Sequence, residues 1–407
     1  MQKERNISDL LSKNIAVNGI QSIPLSFQDC IKRIIEKEGY IKCDVEVSNF
    51  NSGGGSFAGE LYEVDIKGDT IEGAKKTNVF IKCLVTFNNI QYVDVRELFA
   101  KEVFIYKDLS KVFNFLQDQA DIPQEERFKL PKAYDETKLE AIILENLGQR
   151  NFKTYDRLKV MPLKYAQLAV QELAKFHGMS FVIEEKMPDY FEKNIKCLHH
   201  PFIYDEDWNG LVRNVCTNLA KQYKDDKKVK IENFLRVFLE KFPKFGDYNK
   251  NVKCSLTHQD YRINNVLVRE HNGEAVEVII IDYQLMDYGC PIRDFLFFVF
   301  SGSDQKFRRR HLNDLKNLYF ETLSRFLKYF NMDVEAMYPR KEFEKVYTEW
   351  LDFGLMSVLF ASVFLFAPDT GLDLENLSLS ELPFCPDEIV KQRLKELIDD
   401  FIEWGYL

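Results

Sequence analysis

The spacing of apolar residues changes part-way along this chain, and that change restricts the folds that it can adopt. Between about Val45 and Glu145, apolar and polar residues alternate in short runs, which is typical of β-strands. From Pro162 onward apolar residues recur at helical spacing, and only the runs 265–268 and 276–281 have strand character again. The pattern predicts an α+β protein with two lobes, a β-rich lobe of residues 1–147 and a larger helical lobe of residues 148–407.

The N-terminal lobe is expected to be built from a helical extension, an antiparallel sheet and one further helix. Residues 1–35 are predicted to be helical, because isoleucines recur at helical spacing near the end of that stretch. Strands are expected around 45–66, folded back at a glycine-rich bend, and at 78–84 and 139–145. The helix is predicted over about 93–114.

Composition and charge exclude several classes of protein. The 407 residues are enough for a large core, and the net charge of −9 offers no basic excess for nucleic acid or an anionic membrane surface. The longest uncharged run, 353–368, is shorter than the roughly 20 residues that span a bilayer, so it predicts a buried helix and no membrane insertion. Eight cysteines without a C-x-x-C pair, and a polar N-terminus, lead us to expect a reduced cytoplasmic protein.

Three segments in a fixed order carry the residues of a phosphotransfer site. The run His258-Gln259-Asp260 is followed by Asn265 five residues after the aspartate, the spacing of kinase catalytic loops. Asp282 ends the apolar run that follows. Far upstream, Lys82 interrupts an apolar strand, and Glu102 lies in the next predicted helix.

Phosphoryl transfer explains why these residue types are needed. The reaction depends on holding charge and on aligning the attacking oxygen. Asp282 and the Asn265 carboxamide supply the hard oxygen ligands that Mg²⁺ prefers. Lys82 is expected to neutralise the ATP phosphates, Glu102 to hold the Lys82 ammonium, and Asp260 to orient or deprotonate the acceptor hydroxyl.

Each segment taken alone has a structural interpretation. A strand-terminal aspartate is commonly a turn or cap residue, and a glutamate on a helix commonly faces solvent. The glycine-rich bend supplies Gly53, Gly55 and Ser56, whose backbone amides could cover phosphates, although the same run is also an ordinary hairpin turn. The order of the segments favours the kinase interpretation.

Longer motifs give the chain a family resemblance. They are Phe80-Ile81-Lys82-Cys83-Leu84, Glu102 with Tyr106, Leu144-Glu145-Asn146-Leu147, Leu173-Ala174-Lys175-Phe176-His177, residues 258–265, Ile281-Asp282-Tyr283-Gln284 and Tyr288-Gly289-Cys290-Pro291 with Asp294. They resemble the small-molecule kinases related to aminoglycoside phosphotransferases and choline kinases, and most closely the ecdysteroid kinase-like family. The family's usual His-Gly-Asp and Asp-Phe-Gln are His-Gln-Asp and Asp-Tyr-Gln here.

The resemblance implies a bilobal protein kinase-like fold that uses ATP and Mg²⁺. Glu145 and Leu147 then belong to the interlobe hinge, whose backbone binds the adenine edge. Asp294 is expected to support the catalytic loop through its backbone amides, or else to cap the helix that follows.

The acceptor is expected to be a small molecule and not a protein. Asp294 follows Asp282 by only 12 positions, which leaves no room for a peptide-binding activation segment. We expect an ecdysteroid or a similar apolar alcohol, with a choline- or aminoglycoside-type acceptor as the alternative. A catalytically weak nucleotide-binding scaffold is the alternative from another class. Aromatic residues either line the acceptor pocket or pack in the core; they are Tyr204, Trp208, Trp350, Phe353 and Phe360.

Overall fold

The structure is a computed structural model. It describes residues 16–23, 25–49, 59–84, 93–246, 252–366, 377–384 and 386–407.

A five-stranded sheet forms the N-terminal lobe, in the order β1-β2-β3-β4-β5. Its strands are β1 Ala16–Asn18, β2 Tyr40–Asn49, β3 Gly59–Thr70, β4 Gly73–Leu84 and β5 Ala141–Glu145. The expected hairpin is confirmed, because β2 and β3 pair antiparallel with Val45 opposite Ile66. Val45, Ile66 and Ile81 are buried on one face, as alternation of apolar and polar residues requires.

The predicted helix over residues 1–35 is wrong in part. Residues 16–18 form β1, which pairs parallel with β2, and helix α1 covers only Leu25–Lys37. Gly19 explains the break, because its φ of +80° is left-handed and an added Cβ would lie 2.2 Å from the Val45 carbonyl oxygen. Residues 1–15 lie outside the described ranges. The sheet is therefore mixed at this edge and antiparallel elsewhere.

One long helical segment follows β4 and shares a hydrophobic core with Ile142 and Leu144 of β5. It consists of α2 (Val95–Phe104), a π-helical turn (Ile105–Leu109) and α3 (Ser110–Gln119). Asp94 caps its start by accepting hydrogen bonds from the amides of Arg96 and Glu97. The segment agrees with the helix predicted over 93–114, and it carries Glu102.

Helices dominate the C-terminal lobe, and their apolar faces form a large core. They are α4 Leu163–Lys186, α5 Pro188–Asn194, α6 Glu206–Ala220, α7 Asp225–Lys241, α8 Ile292–Gly302, α9 Gln305–Lys328, α10 Val334–Met337, α11 Arg340–Glu349, α12 Leu351–Leu365 and α13 Glu388–Glu403. The uncharged run predicted as a buried helix is α12, which is buried along nearly all its length. Among the described helices no single one is long and apolar enough to span a bilayer, and α11 with α12 reaches that length only as a pair bent by 48°.

Short strands in this lobe position the candidate site. β8 (Val266–His271) and β9 (Glu274–Ile280) form the expected hairpin, turned at Asn272 and Gly273, which both have positive φ. β6 (Phe152–Lys153) pairs with β8. β7 (Ser255–Thr257) pairs antiparallel with β10 (Asp287–Gly289), so the chain after Asp282 returns at once to the strand before His258. The β-rich and helical lobes agree with the fold class expected from the sequence.

Candidate active site

A buried lysine joins three elements of the structure. Lys82, on β4, is only 7 % exposed. Its Nζ lies 2.6 Å from Glu102 Oε2 of α2 and 2.8 Å from Asp282 Oδ1 after β9. It also donates to Gln284 Oε1 at 3.3 Å. The structure thus brings together three of the residues singled out from the sequence, although Lys82 and Asp282 are 200 positions apart.

Burial and mutual charge shift the pKa values of the three groups in this cluster in different directions. Burial lowers the pKa of the Lys82 ammonium, but the carboxylates of Asp282 and Glu102 outweigh it and raise the pKa above its ordinary value. Burial raises the pKa of Glu102 to about 7, because Lys82 offsets the desolvation only partly and Asp282 repels the second negative charge. For Asp282, burial is outweighed by Lys82, and the pKa is lowered. These shifts in pKa favour the charged forms of Lys82 and Asp282 and the protonated form of Glu102.

A buried aspartate holds the catalytic loop. Asp294 Oδ2 accepts the His258 amide at 2.6 Å, and its Oδ1 accepts the Gln259 amide at 2.8 Å. His177 of α4 contacts the same carboxylate through Nε2 at 3.1 Å. The residue preceding α8 is Pro291, so Asp294 lies within the first turn of that helix. Its carboxylate faces the loop, which agrees with the loop-supporting role and not with the capping role.

Gln259 adopts a backbone conformation that favours glycine. Its φ is +66°, in the left-handed region, which costs a residue with a Cβ about 1–2 kcal/mol. This conformation accounts for the glycine that the family usually has at this position. The Gln259 side chain offsets part of that cost by donating from Nε2 to Thr257 Oγ1 at 2.8 Å.

His258 connects the loop to the end of β9. Its Nε2 lies 2.9 Å from the Ile281 carbonyl oxygen, and its Nδ1 lies 3.3 Å from the Asp260 amide nitrogen. Since a carbonyl can only accept and an amide N–H can only donate, the ring carries its proton on Nε2. The loop is thereby fixed next to the residue that precedes Asp282.

Asp260 is held from two sides. Arg262 Nε lies 3.0 and 3.1 Å from its two carboxylate oxygens, and Asn265 Nδ2 donates to Oδ2 at 2.8 Å. The main-chain carbonyl oxygen of Asn265 also accepts a hydrogen bond from the Ile281 amide at 2.9 Å. Asp260, Asn265 and the strand end before Asp282 are therefore one connected unit.

The donor set between the loop and β9 fits a magnesium ion. Asn265 uses its carboxamide nitrogen toward Asp260, which leaves its oxygen as the atom for a cation, and Asp282 supplies a carboxylate. Mg²⁺ commonly takes one or two protein oxygens and completes its octahedron with phosphate oxygens and water. In the described residues no group of three or more His, Cys, Asp or Glu side chains has the arrangement of a closed metal site. The residues thus suit a metal brought with a nucleotide.

Aromatic residues fix Asp282 itself. Asp282 has a left-handed φ of +67°, and its amide donates to the Tyr106 hydroxyl at 3.2 Å. Tyr283 packs 4.8 Å from the His258 ring and 5.4 Å from Phe176, measured between ring centroids. The Tyr283 hydroxyl is buried and has no hydrogen-bond partner among the described residues. Packing, and not the hydroxyl, therefore holds this tyrosine in the place where the family usually has phenylalanine.

The expected hinge follows β5 directly. Glu145 ends that strand, and its carboxylate accepts the Lys132 amide at 3.0 Å. Leu147 is buried and opens a short 3₁₀ turn capped by Asn146. The segment lies beside β4, which carries Lys82. Gly53, Gly55 and Ser56 lie outside the described residues.

Most of the aromatic candidates for an acceptor pocket lie in the core. Trp208 is 1 % exposed and stacks on Phe242, and Phe242 stacks on Phe353. Phe360 contacts both Trp208 and Phe242, and Trp350 contacts Phe245. Of the two interpretations, core packing describes these residues.

Sequence reasoning missed Arg262, and it gave Tyr106 and Gln284 no role. Arg262 carried a usable signal, because a basic residue two positions after the loop aspartate is within reach of its carboxylate. Tyr106 and Gln284 contact the Asp282–Lys82 pair only through the folded arrangement of α2, β4 and β9. No spacing along the chain reports those contacts.

Comparison with known proteins gives a family and a set of distant folds. The family model of the ecdysteroid kinase-like family matches residues 53–332. No curated protein sequence matches the chain.

Three similar solved structures are an ethanolamine kinase, a choline kinase and an aminoglycoside phosphotransferase. The Plasmodium vivax ethanolamine kinase is 13 % identical, with a TM-score of 0.41 over 89 % of this chain and 83 % of that one. The choline kinase LicA of Streptococcus pneumoniae is 11 % identical, with a TM-score of 0.38 over 84 % of this chain and 99 % of that one.

The third, APH(2")-IIa in a ternary complex with streptomycin and ATP, is 13 % identical, with a TM-score of 0.34 over 83 % of this chain and 98 % of that one. The family model covers more than half of the chain, including Lys82, Asp260 and Asp282. The chain therefore belongs to the ecdysteroid kinase-like family.

Proposed function

We propose that this protein transfers the γ-phosphate of ATP to a hydroxyl group of a small molecule. The observation that carries the proposal is the convergence of Lys82, Asp282 and Asp260 from distant parts of the chain. Lys82 and Asp282 are paired at 2.8 Å, and Asn265 connects Asp260 to the strand end before Asp282. A buried lysine beside a carboxylate and an amide oxygen is the arrangement that binds nucleotide phosphates through a divalent cation.

In the proposed reaction, Asp260 accepts the proton of the acceptor hydroxyl. The acceptor oxygen forms a bond to the γ-phosphorus, and the bond from that phosphorus to the β–γ bridging oxygen breaks, which releases ADP. Arg262 and Asn265 fix the direction of the Asp260 carboxylate throughout. Lys82 neutralises phosphate charge, and Glu102 keeps its ammonium in place.

Asn265 and Asp282 would hold Mg²⁺, which supplies charge neutralisation along the transferred phosphate. Asn265 lies on the loop directly before β8, and Asp282 lies directly after the end of β9. Both residues are therefore at the same end of the hairpin. The backbone amides of Gly53, Gly55 and Ser56 would cover the phosphates. The hinge around Glu145 and Leu147 would hold the adenine edge.

The short segment after Asp282 supports a small acceptor. Residues 283–285 form one 3₁₀ turn, and residues 287–289 already pair with β7. Only Cys290 and Pro291 then precede α8, so no long segment is left there to hold a peptide substrate. We therefore infer a compact acceptor bound next to Asp260.

For the acceptor class we propose an ecdysteroid or a similar apolar alcohol, following the family to which the chain belongs. A choline- or aminoglycoside-type acceptor is the alternative within the same chemistry. A non-catalytic nucleotide-binding scaffold is the alternative from another class. Retention of Lys82, Asp260, Asn265 and Asp282 in hydrogen-bonded positions favours the enzyme.

A transfer assay with γ-labelled ATP tests this proposal. Purified protein with Mg²⁺ is incubated with an ecdysteroid, choline, ethanolamine or an aminoglycoside, and label in each small molecule is counted. We expect transfer to the ecdysteroid, reduced about 10²-fold or more by Asp260→Asn. Transfer to the cationic acceptors alone would replace the ecdysteroid by a choline- or aminoglycoside-type acceptor. Tight Mg·ATP binding without transfer to any small molecule in a metabolite extract would favour the scaffold.

A further inference from the structure

A cavity lies between the helical segment that follows Glu102 and residues 128–135. It has a volume of about 300 Å³, at the lower end of the range for small-ligand sites. The π-helical turn and α3 form one wall, from Tyr106 to Asn114, and residues 128–135 form the other. None of the residues assigned above to nucleotide phosphates, metal or acceptor lines it, so it is separate from the candidate active site.

The cavity is positively charged. Lys107, Lys111 and Lys132 line it, against Asp135 as the one acidic residue of its described lining. Asp135 is already engaged, because Lys37 lies 3.2 Å from its Oδ2. In the part of the chain that the structure describes, neither Lys111 nor Lys132 forms an ion pair. Two lysines that form no ion pair, next to a concave surface, favour an anionic ligand.

Apolar rings make up the rest of the lining. Phe113 and Phe128 form an edge-to-face pair with centroids 5.6 Å apart, and Lys132 Nζ lies 5.5 Å from the Tyr134 ring centroid. A ligand that fits both features has one charged group and one flat apolar group. We propose that this cavity binds a small organic anion of this kind, such as an aryl phosphate, and that its occupancy raises the affinity for Mg·ATP.

Two sets of contacts connect this cavity to the nucleotide site. Tyr106 lines the cavity, and its hydroxyl accepts the Asp282 amide. A row of rings also runs from Phe128 through Phe176 to Tyr283, with centroids 5.5 and 5.4 Å apart. Both routes end at Asp282 or at its neighbour.

The opposite wall reaches the hinge. The Lys132 amide donates to the Glu145 carboxylate at 3.0 Å, and the Lys132 carbonyl oxygen accepts the Glu145 amide at 2.9 Å. A ligand held between Lys111 and Lys132 would thus order the support of Asp282 and the support of the hinge together. Coupling between two sites is reciprocal, so nucleotide should tighten binding of the anion by the same factor.

Calorimetry with phenyl phosphate as the probe tests the proposal. The titration is done with a non-hydrolysable Mg·ATP analogue in excess, which keeps the probe out of the nucleotide site. We expect phenyl phosphate to bind the wild-type protein and to bind the Lys111→Ala/Lys132→Ala double variant at least tenfold more weakly. Benzyl alcohol, which has the ring but no charge, should not bind the wild-type protein. Both lysines are exposed, so the variant should fold.

The Lys193→Ala/Lys224→Ala variant is the matched control, because it removes two exposed lysines from the other lobe. Binding equal in both double variants, or no binding at all, would overturn the anion site. Mg·ATP affinity is then measured with and without the probe, and we expect an increase of about fivefold or more. Unchanged Mg·ATP affinity would overturn the effector role.

Discussion

Replacing Gln259 by glycine and by alanine measures the backbone strain in the catalytic loop. The φ of +66° costs any residue with a Cβ about 1–2 kcal/mol, and glycine avoids that cost. Glycine loses more conformational freedom on folding, by about 0.5–1 kcal/mol relative to alanine. Both variants lose the side-chain hydrogen bond to Thr257, so it cancels between them. The difference leaves the glycine variant more stable than the alanine variant by roughly 0–1.5 kcal/mol, with a midpoint of about 0.75 kcal/mol, the reverse of the usual order.

Equilibrium unfolding in urea, followed by tryptophan fluorescence, measures this difference from the unfolding midpoints at constant slope. Gln259→Gly should also keep turnover close to that of the wild type, since the amides that contact Asp294 are unchanged. An alanine variant as stable as the glycine variant, or more stable, would refute the left-handed conformation at this residue.

Three further perturbations test the charged groups of the site. Asp282→Ala should abolish Mg²⁺-dependent ATP binding in calorimetry, and an unchanged affinity would remove Asp282 from metal binding. Arg262→Gln should lower turnover by about 10- to 100-fold, because the Asp260 carboxylate is no longer held in place. Arg262→Lys should recover part of that turnover. Equal rates in the wild-type protein and both variants would show that Arg262 has no positioning role. The raised pKa of Glu102, about 7, means that the folded state binds this proton more tightly than the unfolded state, so stability conferred by this group is lost as pH rises from about 4.5 to 7. Urea unfolding at several pH values should therefore show a smaller loss over that range in Glu102→Gln, and identical pH profiles would contradict the shift.

The sequence was most informative where chemistry coincides with the end of a regular element. Asp282 follows an apolar strand and Lys82 lies within one, so their types and order alone predicted a shared site, and the structure places them 2.8 Å apart. The two-lobed α+β architecture could also be predicted, because the change from alternating to helical spacing is a direct consequence of burial on one face.

Other features depend on tertiary contacts that spacing does not report. Aromatic residues such as Trp208 and Phe353 are equally suited to a pocket and to a core, and only the packing of α6 against α12 decides between them. The turn at Gly19 interrupts the stretch that was predicted to be helical, because Gly19 closely approaches Val45, which is distant in sequence. Arg262 and Tyr106 acquired their contacts in the same way.

The pairing of β10 with β7 has a consequence for control of the protein in the cell. Protein kinases are commonly switched by modifying a long loop that folds over the site, and here only Cys290 and Pro291 lie between β10 and α8. Lys82 holds both Glu102 and Asp282, and Asp294 holds the loop that carries Asp260. A protein built in this way is ready to act as soon as it folds, so its output follows its abundance, the supply of its reactants and any small molecule that reaches it elsewhere.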